Sequence, residues 1–161
     1  MREWKEWFSN MGGRFLLFAR QQCRSDQEAE DVLQMALVRC WKATEGRIPD
    51  TAFVFHKIRQ TAIDSARSST RREKREQTVW RDGETVSWFD RTVERDERYR
   101  ELESAIKLLP PPQQEVITLK IWGELTFDEI GKTLGISINT AASRYRYAIE
   151  SLRANMAAAK S

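Results

Sequence analysis

Residues 126–153 read TFDEIGKTLGISINTAASRYRYAIESLR, and this stretch decides the fold. Thr126 is placed to cap a helix, and Glu129 three residues later completes a reciprocal capping box. Phe127, Ile130 and Leu134 fall on one face of that short helix, and Gly135 supplies the positive backbone angle of a sharp turn. Ser137 then caps a longer helix on which Ile138, Ala141, Tyr145, Ala148, Ile149 and Leu152 form one inward stripe. A short helix, a glycine turn and a capped longer helix make the pattern of a helix-turn-helix, whose second helix can enter the DNA major groove. The outward residues of that helix are Asn139, Thr140, Ala142, Ser143, Arg144, Arg146 and Tyr147. Amides and hydroxyls bond base edges, guanidinium groups bond guanine or phosphate, and small Ala142 permits close approach. Taken alone, the segment also reads as a solvent-exposed hairpin in a helical bundle.

Working outward, Tyr99, Leu102, Ile106 and Leu109 predict a helix stopped by Pro110-Pro111-Pro112, and Gln113 to Trp122 predicts another that Gly123 ends. Nothing in residues 1–75 reads as strand. Trp4, Trp7, Phe8 and Met11 fit one helix before a break at Gly12-Gly13, and Phe15, Leu16, Phe18, Ala19 and Cys23 fit a second. Asp26 caps a third, with Ala29, Val32, Leu33, Ala36, Leu37, Cys40 and Trp41 inward and Gly46 beyond its end; a fourth starts near Thr51 after Pro49, with Phe55, Ile58, Ala62 and Ile63 inward. Residues 76–98 alternate charges around Asp82-Gly83 and read as a linker. Trp80, Val86, Trp88 and Phe89 within it are too apolar for a pure spacer, and either fold back on the bundles or dock a partner. The expectation is an all-α chain: an N-terminal helical bundle over 1–75, a linker over 76–98 and a helix-turn-helix domain over 99–161.

The 161 residues suffice for one ordinary or two very small domains, and 40% hydrophobic with 32% charged residues means modest cores under a solvated surface. No apolar run reaches the roughly 18 residues of a membrane helix, and Met1-Arg2-Glu3-Trp4-Lys5-Glu6-Trp7 lacks a signal-peptide core, so no membrane insertion and a cytoplasmic location are expected. Cys23 and Cys40 lie in helices with no Cys or His at a ligand spacing, which reads as buried free thiols. His56 is the single histidine, so two-histidine metal sites are ruled out, and a metal-free hydrolase would hang on it with no positioned nucleophile or acid partner. No glycine-rich phosphate loop is present; no enzyme, metal or cofactor is expected. Residues 1–75 hold 15 basic against 10 acidic side chains, and the cluster Arg67, Arg71, Arg72, Lys74, Arg75 marks a phosphate-binding end.

Leu109-Pro110, Glu115-Val116, Leu119, Glu129-Ile130, Leu134-Gly135-Ile136-Ser137, Thr140, Ser143-Arg144 and Leu152-Arg153 together resemble the C-terminal domain of the extracytoplasmic-function (ECF) sigma factors, group four of the sigma-seventy family. Ala29-Glu30-Asp31-Val32-Leu33-Gln34, Leu37, Trp41, Ile63-Asp64 and Arg67 resemble the family's N-terminal domain, in order and at the expected distance. The resemblance covers about 14–75 and 99–154. It implies sigma region-two-like and region-four-like domains that bind core RNA polymerase through its beta-prime and beta subunits, recognise promoter DNA, melt it and start transcription. It further implies an anti-sigma factor as a partner.

By the same resemblance, Asp31, Gln34 and Arg39 grip the polymerase, the first two sharing a polar face one helical turn apart. Phe53, Lys57, Arg59, Gln60, Arg67, Arg71 and Arg72 meet the minus-ten element, where a captured base and bound phosphates offset the cost of unstacking, while Phe55 goes to the core. Asn139, Thr140, Ser143, Arg144, Arg146 and Tyr147 meet the minus-thirty-five element. The sequence departs from the family in places. Gln60 stands where Asn is usual, Ala141-Ala142 where Val-Lys is usual and Tyr147 where Arg is usual. Gly131 replaces a common Ala at a cost of about 1 kcal/mol in helix propensity, with nothing in the sequence to offset it. A stand-alone helix-turn-helix regulator that binds duplex DNA without polymerase is the rival reading, and it leaves the Asp31–Gln34 face idle.

Overall fold

The computed structural model describes residues 2–72 and 97–159, and every regular element among them is helical. In chain order these are α1 (Arg2–Gln22), α2 (Asp26–Ala43), α3 (Thr51–Arg72), α4 (Glu97–Lys107), α5 (Pro111–Ile121), α6 (Phe127–Leu134) and α7 (Ile138–Ala159). Trp80, Val86, Trp88 and Phe89 lie outside the described residues.

Helix α1 is continuous where a break was expected. The Trp7 and Phe15 rings pack 5.4 Å apart across the Gly12-Gly13 pair, and a Cβ on Gly12 would stand 3.1 Å from the Phe8 ring. Tertiary packing of aromatic side chains outweighs a penalty of about 1 kcal/mol per glycine. The N-cap of α2 is Ser25, whose hydroxyl accepts from the Glu28 N–H at 3.1 Å. Asp26 is instead the first helical residue, where its charge still favours the dipole. Past the other end of α2, Gly46 takes φ of 85° and its carbonyl accepts the Trp4 indole N–H at 2.7 Å. Trp41 packs on Trp4 at 4.9 Å but stays 40% exposed, so it forms an outer wall rather than core. Ile63 and Ile138, both read as inward, are exposed as well.

Pro111 and Pro112 open α5 instead of preceding it, because the first turn of a helix has no use for their missing N–H groups. The local chemistry from Thr126 onward is as the sequence indicates. Glu129 N–H donates to the Thr126 hydroxyl at 3.1 Å, the Glu129 carboxylate accepts from the Thr126 N–H at 3.0 Å, and Gly135 has φ of 70°. The Ser137 hydroxyl accepts from the Thr140 N–H at 3.1 Å. Gly131 does have a compensation. A Cβ there would lie 2.6 Å from the Ile136 carbonyl oxygen, so only glycine lets the turn close and the Ile136 N–H reach the Gly131 carbonyl at 2.9 Å.

The two helical domains pack against each other. Phe15 and Phe18 of α1 and Phe55 and Ile58 of α3 share one buried cluster with Val116, Leu119, Leu125 and Ile130. A second cluster, around Ile106, Leu109, Ile117, Trp122, Ala148 and Leu152, takes in Leu17 from α1. Polar contacts line this seam in antiparallel order, rising along α1 and falling along α5. Arg14 Nη1 donates to the Trp122 carbonyl at 3.3 Å, Gln21 Nε2 to Thr118 Oγ1 at 2.6 Å and Gln22 Nε2 to Glu115 Oε1 at 2.7 Å.

Candidate nucleic-acid interface

Three outer faces carry the side chains singled out by the sequence. On α2, Asp31 and Gln34 are exposed, and Asp31 accepts a hydrogen bond from Gln27 Nε2 at 3.1 Å. Met35 and Val38 stand beside them, 52% and 53% exposed. The spacing 31, 35, 38, 42 lines one helix face with an acid, two apolar side chains and Lys42. Sequence reasoning missed Met35 and Val38. The signal was there: α2 has more apolar positions than a single inward stripe accommodates. Arg39 follows Met35 by one helical turn, but its side chain is turned toward α3. Its Nη1 donates to Thr61 Oγ1 at 3.2 Å and to Asp64 Oδ2 at 3.0 Å, tying α2 to α3.

Along α3, Phe53, Lys57, Gln60, Asp64 and Arg67 follow one another at intervals of four, three, four and three residues. That spacing puts them on one stripe. Gln60, Asp64 and Arg67 are exposed, Phe53 and Lys57 half-buried, and the Lys57 ammonium lies 5.3 Å over the Phe53 ring. The helix runs on through Arg71 and Arg72, whose side chains lie outside the described residues. Arg59 is not brought to the stripe. It points to the opposite flank, where Nη1 meets Glu115 Oε1 at 2.7 Å in the seam between the domains. Phe55 is fully buried, edge-on to Phe15 at 5.0 Å and Phe18 at 5.4 Å.

On α7, Asn139, Arg146 and Tyr147 are exposed, while Thr140, Ser143 and Arg144 are half-buried. The Arg146 guanidinium carbon lies 5.7 Å from the Tyr147 ring centre. The Thr140 hydroxyl is engaged at the cap, accepting from Ser137 Oγ at 2.9 Å. Ile138, half exposed at the helix tip next to Asn139, is a further surface residue that the sequence reading had placed inside. An apolar side chain there suits contact with a thymine methyl group.

The sigma-70 region 2 description matches residues 10–72, and the sigma-70 region 4 description matches residues 99–152. The chain belongs to the sigma-70 family. It is an ECF-type sigma factor that works with core RNA polymerase and promoter DNA to direct transcription initiation. The RNA polymerase sigma-E factor of Streptomyces avermitilis is 28% identical over 151 residues, which cover 94% of this chain and 83% of that protein. That of Streptomyces coelicolor is 26% identical over 156 residues, 97% of this chain and 87% of the other. Among solved structures, the sigma factor RpoE of Bartonella quintana, determined with the anti-sigma factor NepR, superposes with a TM-score of 0.65 at 17% identity. It covers 97% of this chain and 98% of its own, a likeness of fold. The stand-alone regulator is not favoured, because the region 2 match occupies residues 10–72 of the front domain.

Burial sets the chemistry of the sigma factor's thiols. It pushes Cys23 up to about 12, helped by the charge of Glu28, and Cys40 up to about 11, against the opposing charge of Lys57. Both therefore stay protonated at neutral pH and are poor nucleophiles and ligands. No group of three or more His, Cys, Asp or Glu side chains that could hold a metal exists among the described residues. No helix among them is long and apolar enough to cross a membrane.

Proposed function

We propose that this sigma factor divides its work among the three outer faces. The front domain, residues 1–75, docks on core polymerase through Asp31, Gln34, Met35 and Val38 of α2. Its α3 stripe takes the minus-ten element: Phe53 and Gln60 engage a base extruded from the duplex, and Lys57 and Arg67, continued by Arg71 and Arg72, hold the phosphates. The rear domain, residues 99–161, lays α7 in the major groove of the minus-thirty-five element. Asn139, Ser143 and Arg146 reach bases or backbone there, with Thr140, Arg144 and Tyr147 at the flank. The observation that carries this reading is the regular stripe on α3 beside the separately exposed face of α2. The chain contributes no bond-making group of its own; the polymerase performs the chemistry, in the cytoplasm.

Reach adds a requirement. Elements centred about 25 base pairs apart at about 3.4 Å per pair lie about 85 Å apart. A closed body of about 135 residues has a radius of gyration of only about 14 Å. The two faces therefore engage one promoter only if the seam of Leu17, Phe55, Arg59 and Glu115 opens. The residues between 76 and 98 would serve as the tether. An anti-sigma partner, such as the Bartonella protein binds, fits as a ligand that keeps the domains together.

The reading is tested by reconstitution with core polymerase. Asp31→Arg is expected to weaken core binding at least tenfold while leaving the unfolding temperature unchanged. Unchanged core affinity would refute the assignment of the α2 face.

A further inference from the structure

Four of the five residues on the α3 stripe suit a nucleic acid: an aromatic ring, a lysine, an amide and an arginine. Asp64 does not. Its carboxylate is more than half exposed, it stands between Gln60 and Arg67, and it would repel a phosphate following that stripe. Arg39 reaches it from the neighbouring helix, and the same nitrogen also bonds Thr61, which is 1% exposed. The guanidinium is thus pinned at one end by a buried hydroxyl and spends its charge on the carboxylate. As an isolated surface ion pair it would contribute little to stability, since both partners are solvated. Its placement on a polyanion-binding surface gives it another use.

We propose that Arg39 is a positioning residue for promoter capture, cancelling and fixing the Asp64 carboxylate so that no local repulsion interrupts the cationic stripe from Phe53 to Arg67 where the DNA backbone follows it. This rests on the α3 stripe being the minus-ten surface. It moves Arg39 from the polymerase contact to the DNA contact. The side chain acts through Asp64, and its effect depends on that carboxylate being charged.

The test uses the holoenzyme on a promoter fragment taken upstream of a mapped transcript start, with a pre-opened bubble at the minus-ten element. Arg39→Met keeps most of the side-chain stem and removes the charge. It is expected to weaken fragment binding by about fivefold at low salt, the scale of one unscreened charge near a phosphate, with core affinity unchanged. Asp64→Asn alone binds at least as well as the natural chain. The double variant restores binding to within about twofold of it, a coupling that loss of structure alone would not produce. Arg39→Met binding DNA normally, or the double variant being no better than Arg39→Met, overturns the proposal, as does a loss of core affinity in Arg39→Met. Should the natural holoenzyme fail to hold the fragment at all, the minus-ten reading itself falls and the proposal with it.

Discussion

Arg59 and Gln60 are neighbours in sequence and belong to different regions of the molecule. Gln60 stands on the outer stripe of α3, in solvent, between Lys57 and Asp64. Arg59, about 100° round the helix, is drawn into the seam, bonded to a carboxylate of the other domain. The outer faces mix polar with exposed apolar side chains, are locally built and are each complete within one domain; the seam is apolar at its centre, clasped at its edge and made of both. The contrast teaches that residue type alone does not assign a role on a helix. Angular position does, and a cation one step round the helix can hold the protein shut instead of holding DNA.

The largest expected effects lie at the seam and in the tight turn of the rear domain. Phe55→Ala removes a ring that touches Phe15, Phe18 and the close-set Gly123, where a Cβ would lie 2.9 Å from it. It should cost about 3–5 kcal/mol in chemical unfolding, as for other fully buried aromatic residues. A loss below 1 kcal/mol would mean that the shared core is not formed. Gly131→Ala should destabilise by about 1–3 kcal/mol, against its better helix propensity, because the new methyl meets the Ile136 carbonyl. A gain in stability would contradict the close turn.

Much of the fold was legible because its signals are local. Thr126, Glu129, Gly135 and Ser137 act within a few residues of themselves, and all four do what their spacing indicates. The continuity of α1 through Gly12-Gly13 and the compensation for Gly131 were not legible, since each depends on atoms brought near by packing. The seam was hidden for a deeper reason. Periodicity marks Phe15, Phe55 and Ile130 as buried but cannot say against what, and two separate bundles satisfy the same pattern as one shared core. Among the site residues, stripe membership on α3 could be read by counting. The capture of Arg39 by Asp64 and of Arg59 by Glu115 needed the neighbouring helices.

Smaller effects sharpen the comparison. Glu115→Ala frees both Arg59 and Gln22 and should weaken closure by about 1–2 kcal/mol, seen as a larger radius of gyration in solution scattering. An unchanged radius would show that the apolar contacts hold the seam unaided. The buried thiols predict a pH effect with a definite sign. The unfolded chain ionises its thiols near about pH 8.5, whereas the folded chain keeps them protonated to about 11 and 12. Stability should therefore be insensitive to the thiols below that pH and should fall as pH rises above it, an effect that Cys23→Ser and Cys40→Ser remove from the difference curve. Least affected in the folded state is Arg146→Ala on α7. It should leave unfolding within about 0.5 kcal/mol of the natural chain while lowering the salt slope of minus-thirty-five binding by about one.

The distance between the two domains tests the account most directly. Dyes on Glu3→Cys and Arg153→Cys, both exposed positions and one in each domain, report it in a chain whose Cys23 and Cys40 are replaced by serine. The free chain should give one short distance, within the diameter of a single closed body, and the promoter-bound holoenzyme a distance longer by tens of ångströms. A holoenzyme that transcribes with the short distance intact would contradict it.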